Sequence, residues 1–207
     1  MLMSKKINLK EFLFKNIRFP LMPILRPKEA ESIQYYIKKI FQLRWEFMKK
    51  RFNLGETFAA PKLNIIWLIL SYVSGYFYFG KRITILAGVI YRTGREISRT
   101  IDHEIVHYIQ LSVNREIRKK RFWVFRIGYF FGLLHWKLTK KANKFVVFRI
   151  FIEGFATFVA SKTSNAALTP FVLKGMDDVL NGKISVLTPE LSYSVGYLAF
   201  AAIAKTS

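Results

Sequence analysis

The chain has 207 residues, enough for one domain with a sizeable core, and 52% of them are hydrophobic. It contains no cysteine, which excludes disulfide bonds and thiolate metal sites. Lys and Arg number 34 against 13 Asp and Glu, and the resulting net charge of +21 suits anionic partners without determining a fold. Because cysteine is absent, His and carboxylate side chains would have to hold any transition metal, and only three histidines are present.

The sequence pattern divides the chain into an arm and one domain. Residues 1–26 are basic and apolar without a regular period, and they predict an N-terminal arm that lacks a signal-peptide core. Residues 27–207 are predicted to form a single domain, with a sheet lobe over about 27–94 and a helical lobe over about 95–207. The expected fold class is α+β, with a small antiparallel-edged sheet followed by mainly helical structure.

The sheet lobe is expected to open with a helix that starts near Pro27, where a first-turn proline is tolerated, and ends before Gly55. Its core face is predicted from apolar residues spaced mostly three or four apart. These residues are Ile33, Ile37, Ile40, Phe41, Phe47 and Met48.

Residues 63–90 are rich in Ile, Val and aromatic residues, which predicts two or three strands. The stretch Leu63–Gly80 carries no charge, but its Asn, Ser and Gly content favours a β-hairpin over a membrane-spanning helix. The segment Ile83–Leu86 has two interpretations at this stage: a strand that pairs with an extended substrate, or an ordinary core strand.

The remaining segments are mainly of helical character. Helices are predicted over 95–119, 122–136, 144–161 and 190–204, and loops over 165–170 and 181–189.

One predicted helix carries an H-E-x-x-H motif formed by His103, Glu104 and His107. Residues four apart on a helix lie one above the other, so the two imidazoles can bind one zinc ion. Glu104 can then act as a general base on a water molecule at the metal. The helix also has an apolar face for the core, consisting of Ile97, Ile101, Ile105, Tyr108 and Ile109.

A catalytic zinc needs a third protein ligand and an open position. Glu153 is the main candidate, because it interrupts an apolar helix where an isolated carboxylate is costly unless it is paired or metal-bound. Two alternatives remain open: Glu153 forms a salt bridge with Arg149, or His135 is the third ligand.

Three short motifs occur in an order that resembles gluzincin metallopeptidases related to aminopeptidase N. They are H-E-x-x-H at 103–107, E-G-x-A at 153–156 and Y-x-x-G at 193–196. The resemblance implies a zincin-like fold, one Zn²⁺ per chain with Glu153 as its third ligand, and hydrolysis of peptide or protein substrates. It also implies that Tyr193 stabilises the oxyanion, with Tyr197 as the alternative donor. The G-x-M-E-N motif is absent, so the resemblance does not extend to aminopeptidase specificity.

The segment Arg115–Arg149 indicates a second possible function. It has eleven Lys or Arg, one acidic residue and interleaved aromatic residues. This pattern suits an anionic membrane surface or single-stranded nucleic acid. A basic-aromatic binding protein is therefore the alternative to a peptidase. The expected location is the cytoplasm, with the membrane surface as the alternative.

Overall fold

The computed structural model describes residues 30–66, 75–78, 82–86, 94–113, 135, 138–139, 144–184, 187–188 and 190–206. The predicted arm over 1–26 lies outside these residues, as do most of the helix predicted over 122–136 and most of the basic-aromatic segment.

Five helices and three strands are present in the described part of the chain, and their balance confirms the α+β class. In chain order they are α1 (Ala30–Arg51), β1 (Lys62–Ile66), β2 (Gly75–Tyr78), β3 (Arg82–Leu86), α2 (Gly94–Val113), α3 (Lys144–Ser164), α4 (Pro170–Leu180) and α5 (Ser192–Thr206). None of these described helices combines the length and the apolar character needed to cross a membrane.

Helix α1 buries one apolar stripe, as its sequence period predicts. Its fully or nearly buried side chains are Ile37, Phe41, Trp45 and Met48. The assignment of Phe47 to this face was wrong: Phe47 is 41% exposed, and the Arg44 guanidinium lies 4.5 Å from the centre of its ring. Phe47 immediately precedes Met48, so its side chain points about 100° away from the stripe.

The sheet is mixed, with the strand order β1-β3-β2. Strand β2 pairs with β3 in antiparallel orientation, but β1 pairs with β3 in parallel orientation, with Lys62 opposite Arg82. The antiparallel edge predicted from the sequence therefore exists only at β2. The hairpin predicted across Leu63–Gly80 was also wrong, because β3 lies between β1 and β2.

Strand β3 takes the central position because its side chains suit burial. Ile83, Thr84, Ile85 and Leu86 are all at least 96% buried, as expected for a strand covered on both faces. Both of its edges are hydrogen-bonded to neighbouring strands, so β3 has no edge to offer to an extended substrate. Of the two interpretations of this segment, the core strand is confirmed.

Helix α2 packs against α1, α3 and the sheet, and its predicted core face is confirmed. The buried residues on this face are Ile97, Ile101, Ile105, Tyr108 and Ile109. The Tyr108 hydroxyl donates a hydrogen bond to the Ala59 carbonyl at 2.8 Å, and its ring packs against Trp45 and Phe58. These contacts hold the motif helix firmly against the core.

Helix α3 packs against both α2 and α5, and α4 packs against α5. The sequence predicts no helix over α4 and a loop that ends at Pro170. In the structure the Thr169 side chain caps this helix by accepting a hydrogen bond from the Val172 N–H, and Pro170 occupies the first turn. A Thr-Pro pair is compatible with a turn as well as with a helix start, so the local signal was ambiguous.

Candidate metal centre

His103 and His107 lie one turn apart on α2, and Glu153 reaches them from α3. The two imidazole Nε2 atoms are 3.0 Å apart, and Oε2 of Glu153 lies 3.2 Å from each of them. The three side chains form a group that could hold a metal ion. The packing of α2 against α3 brings Glu153 to histidines that precede it by 46 and 50 residues.

The three side chains affect one another's pKa, and each of them is partly or fully buried. Burial acts to raise the pKa of Glu153, but the charge of His107 and the hydrogen bonds from both histidines hold that pKa well below its usual value. Burial acts to lower the pKa of His107, but Glu153 outweighs it and raises the pKa to about 9. Burial and the neighbouring His107 lower the pKa of His103. Glu153 is therefore ionised, and His107 is protonated.

Gln110 supports His107 from the far side of the ring. Its Oε1 lies 3.1 Å from Nδ1 of His107, so an Nδ1–H can donate to it and leave Nε2 directed at Glu153 and His103. An acceptor on the second ring nitrogen is the usual way in which proteins orient a metal-binding histidine. This role of Gln110 is not among the predictions from the sequence, although its position three residues after His107 puts it on a neighbouring face of the helix.

Glu104 lies beside the group. Its side chain is buried, and its negative charge contributes to raising the pKa of both His107 and Tyr193. Glu104 directly follows His103 on α2, which is its position in the motif.

Tyr193 reaches the group from α5. Its ring is stacked against His103 with 6.0 Å between ring centres and an interplanar angle of 25°. Burial and the negative charge of Glu153 raise its pKa above the ordinary value, which keeps the hydroxyl protonated. The alternative donor Tyr197 instead packs against Phe158, with ring centres 5.8 Å apart. Of the two tyrosines, Tyr193 is the one beside the histidines.

Arg149 contacts several of these side chains. Its guanidinium lies 3.8 Å from Oε1 of Glu153, and it donates to the Tyr193 hydroxyl oxygen at 3.4 Å and to Ser192 at 3.3 Å. The salt bridge considered as an alternative role for Glu153 thus coexists with the histidine contacts, because the two use different carboxylate oxygens.

His135, the other ligand considered, is exposed and does not belong to the group of potential ligands found among the described residues.

No family model, curated protein or solved structure matches the chain. The function therefore has to be inferred from the cluster itself. Two imidazoles and one carboxylate are a donor set that suits a divalent transition metal and leaves coordination positions open. The same part of the structure offers a buried carboxylate, Glu104, next to His103 in the chain, and the phenol of Tyr193 stacked on the His103 ring.

Proposed function

We propose that the chain is a zinc-dependent peptidase of the gluzincin type with a zincin-like arrangement of its helices. In this proposal His103, His107 and Glu153 hold one zinc ion. The observation that carries the proposal is the convergence of three ligand atoms from two helices, each 3.0–3.2 Å from the other two. The motifs that resemble gluzincins add support, because their key residues lie at this one place.

The spacing of the three atoms fits the ion. Ligand atoms about 2.0–2.2 Å from a tetrahedral zinc lie about 3.3–3.6 Å from one another. The observed separations are only slightly shorter, so a small outward movement of the side chains would accommodate the metal. Three protein ligands are also the number used by catalytic zinc sites, which keep a fourth position for water or substrate.

Zinc held at this site would polarise the scissile carbonyl and make a water molecule more acidic. Glu104 is the proposed general base: it accepts a proton from the attacking water and delivers it to the leaving amine. The Glu104 side chain is buried, so bulk water has little access to the carboxylate.

Tyr193 is the proposed donor to the oxyanion that develops on the substrate. Its raised pKa keeps the hydroxyl proton in place across the physiological range. Arg149 donates to the same hydroxyl oxygen, so the O–H of Tyr193 is left to point elsewhere. Preformed donors of this kind contribute most where water is excluded, as in this partly buried group.

The direct test compares wild-type protein with Glu104→Gln and Glu190→Gln in hydrolysis of a quenched fluorescent peptide mixture. Glu104→Gln keeps the size of the side chain but removes the proton acceptor, so it should bind zinc normally and lose about 10²–10⁴-fold in rate. Glu190 is exposed, and its variant should behave as wild type. A fully active Glu104→Gln protein would contradict the peptidase proposal.

A further inference from the structure

A second polar cluster lies on a different face of the motif helix from its ligands. Asp102 immediately precedes His103, and its side chain is fully buried. Arg44 of α1 approaches it with two nitrogens: Nε donates to Oδ1 at 2.8 Å, and a terminal nitrogen donates to Oδ2. This two-point pairing is the geometry in which a guanidinium and a carboxylate interact most strongly and with a fixed orientation.

Thr163 joins this cluster from α3, the helix that carries Glu153. Its hydroxyl donates to Oδ2 of Asp102 at 2.6 Å, and its carbonyl accepts a hydrogen bond from Arg44 at 2.9 Å. Arg44, Asp102 and Thr163 therefore connect three helices through one set of contacts. We refer to these three residues as the clamp.

The clamp and the metal-ligand group are two separate connections between the same two helices. On α2 the clamp residue Asp102 is adjacent to His103, whereas on α3 Thr163 lies ten residues beyond Glu153, or about 15 Å along the axis. Two connections that lie far apart on α3 fix both the separation and the rotation of this helix relative to α2. Glu153 can meet the histidines only if that arrangement is maintained.

Breaking a buried contact of this kind by removing only one of its partners costs free energy. Removing one partner would leave the Asp102 carboxyl group buried without its full set of hydrogen bonds. The helices would then shift until the carboxylate gained other partners, and the ligand atoms would move with them.

We propose that the clamp is a positioning device for the metal site: Arg44, Asp102 and Thr163 set the register of α2 against α3 and thereby raise metal affinity. The contacts that form the clamp involve no ligand atom, so its members are positioning residues and not catalytic ones. The inference depends on the metal site in the proposed function but not on peptidase activity.

The test uses zinc itself as the probe, with affinity measured by competition against a chelator and folding measured separately by urea unfolding. Thr163→Val keeps the shape of the side chain and removes the hydroxyl, and it should weaken zinc binding on the order of tenfold, as for other supporting contacts of metal sites. Thr163→Ser restores the hydroxyl and should restore affinity. Arg44→Lys, which keeps the charge but not the two-point pairing, should also weaken binding.

Two control variants remove a hydrogen bond of similar kind that does not join α2 to α3. Ser164→Ala removes a bond from the hydroxyl to the Ala160 carbonyl within α3, and Tyr108→Phe removes the bond to Ala59. Both should lower the free energy of unfolding and leave zinc affinity within about twofold of wild type, because neither bond sets the position of α2 against α3.

Equal zinc affinity in Thr163→Val, Thr163→Ser and Ser164→Ala would overturn the clamp, as would an Arg44→Lys protein with unchanged affinity. A wild-type chain that binds no zinc would instead remove the proposed function, so the two failures are distinguishable.

Discussion

Gly154 and Gly196 contact each other through their backbones where α3 crosses α5. A β-carbon built on Gly154 would lie 2.2 Å from Cα of Gly196, and one built on Gly196 would lie 2.2 Å from the carbonyl oxygen of Ile150. Atoms at such distances cannot coexist without a shift of the helices. The two glycines therefore allow the close approach that brings Tyr193, three residues before Gly196, to the ligand-bearing middle of α3.

We expect Gly196→Ala to separate α3 from α5 and to lower the free energy of unfolding by about 1–3 kcal/mol, the usual cost of overpacking. The peptidase rate should fall more than zinc affinity, because all three ligands belong to α2 and α3 while Tyr193 moves with α5. Gly55→Ala is the matched control, since nothing lies within 4 Å of a β-carbon at that position. Equal urea stability of the two variants would show that the glycine contact is unimportant.

Gln110 provides a second test of the site. Gln110→Leu removes the acceptor for Nδ1 of His107 and should reduce zinc affinity by about 10–100-fold. Gln110→Glu keeps an acceptor oxygen at the same place and should retain zinc. The measurement is chelator competition with both variants, and similar losses in the two would argue that the contact with His107 has no orienting role.

The two tyrosines of α5 should differ in their contribution to catalysis. Tyr193→Phe removes the proposed oxyanion donor, so it should keep zinc and lose about 2.7–4 kcal/mol of transition-state stabilisation. Tyr197→Phe removes a hydroxyl from a ring that packs against Phe158 and should have little effect on the rate. The turnover number measured for both variants decides the assignment. The reverse order of effects would transfer the donor role to Tyr197.

Zinc affinity should depend on pH through His107. The pKa of this imidazole is raised to about 9, so the side chain is protonated at pH 7, whereas a zinc ligand must be neutral. Binding then releases one proton, and affinity should rise about tenfold per pH unit from pH 6 to 8 and level off above pH 9. Glu153 is the charge that raises this pKa, so Glu153→Gln should flatten the dependence as well as weaken binding.

Calorimetric titration with zinc in buffers of different ionisation enthalpy measures the protons released. Release of no proton at pH 7, with affinity independent of pH, would contradict the coupling between Glu153 and His107.

The motif helix was predictable because its information is local. The spacing of Ile97, Ile101 and Ile105 determined the buried face, and the spacing of the two histidines placed both imidazoles together. Glu153 was identified by a different argument, the cost of an isolated carboxylate in an apolar helix, and the structure indeed surrounds it with cationic and hydrogen-bonding groups.

Features that depend on contacts between residues far apart in the sequence could not be predicted in this way. The parallel pairing of β1 with β3 joins residues 20 apart in the sequence, such as Lys62 and Arg82, and the local pattern of β1 does not specify its partner. The contact of Arg44 with Asp102 spans 58 residues, and in the sequence each of the two is one charged residue among many. Helix α4 was missed for a local reason, because its Thr-Pro start also fits a turn.

The most direct test of the central claim is the zinc content of the wild-type chain, purified without chelator and measured by mass spectrometry beside Glu153→Gln and Glu190→Gln. The proposed site predicts about one zinc per wild-type chain, the same for Glu190→Gln, and a clear deficit for Glu153→Gln. A folded wild-type protein that binds no zinc when the ion is supplied in equimolar amount would contradict the metal centre and the peptidase built on it.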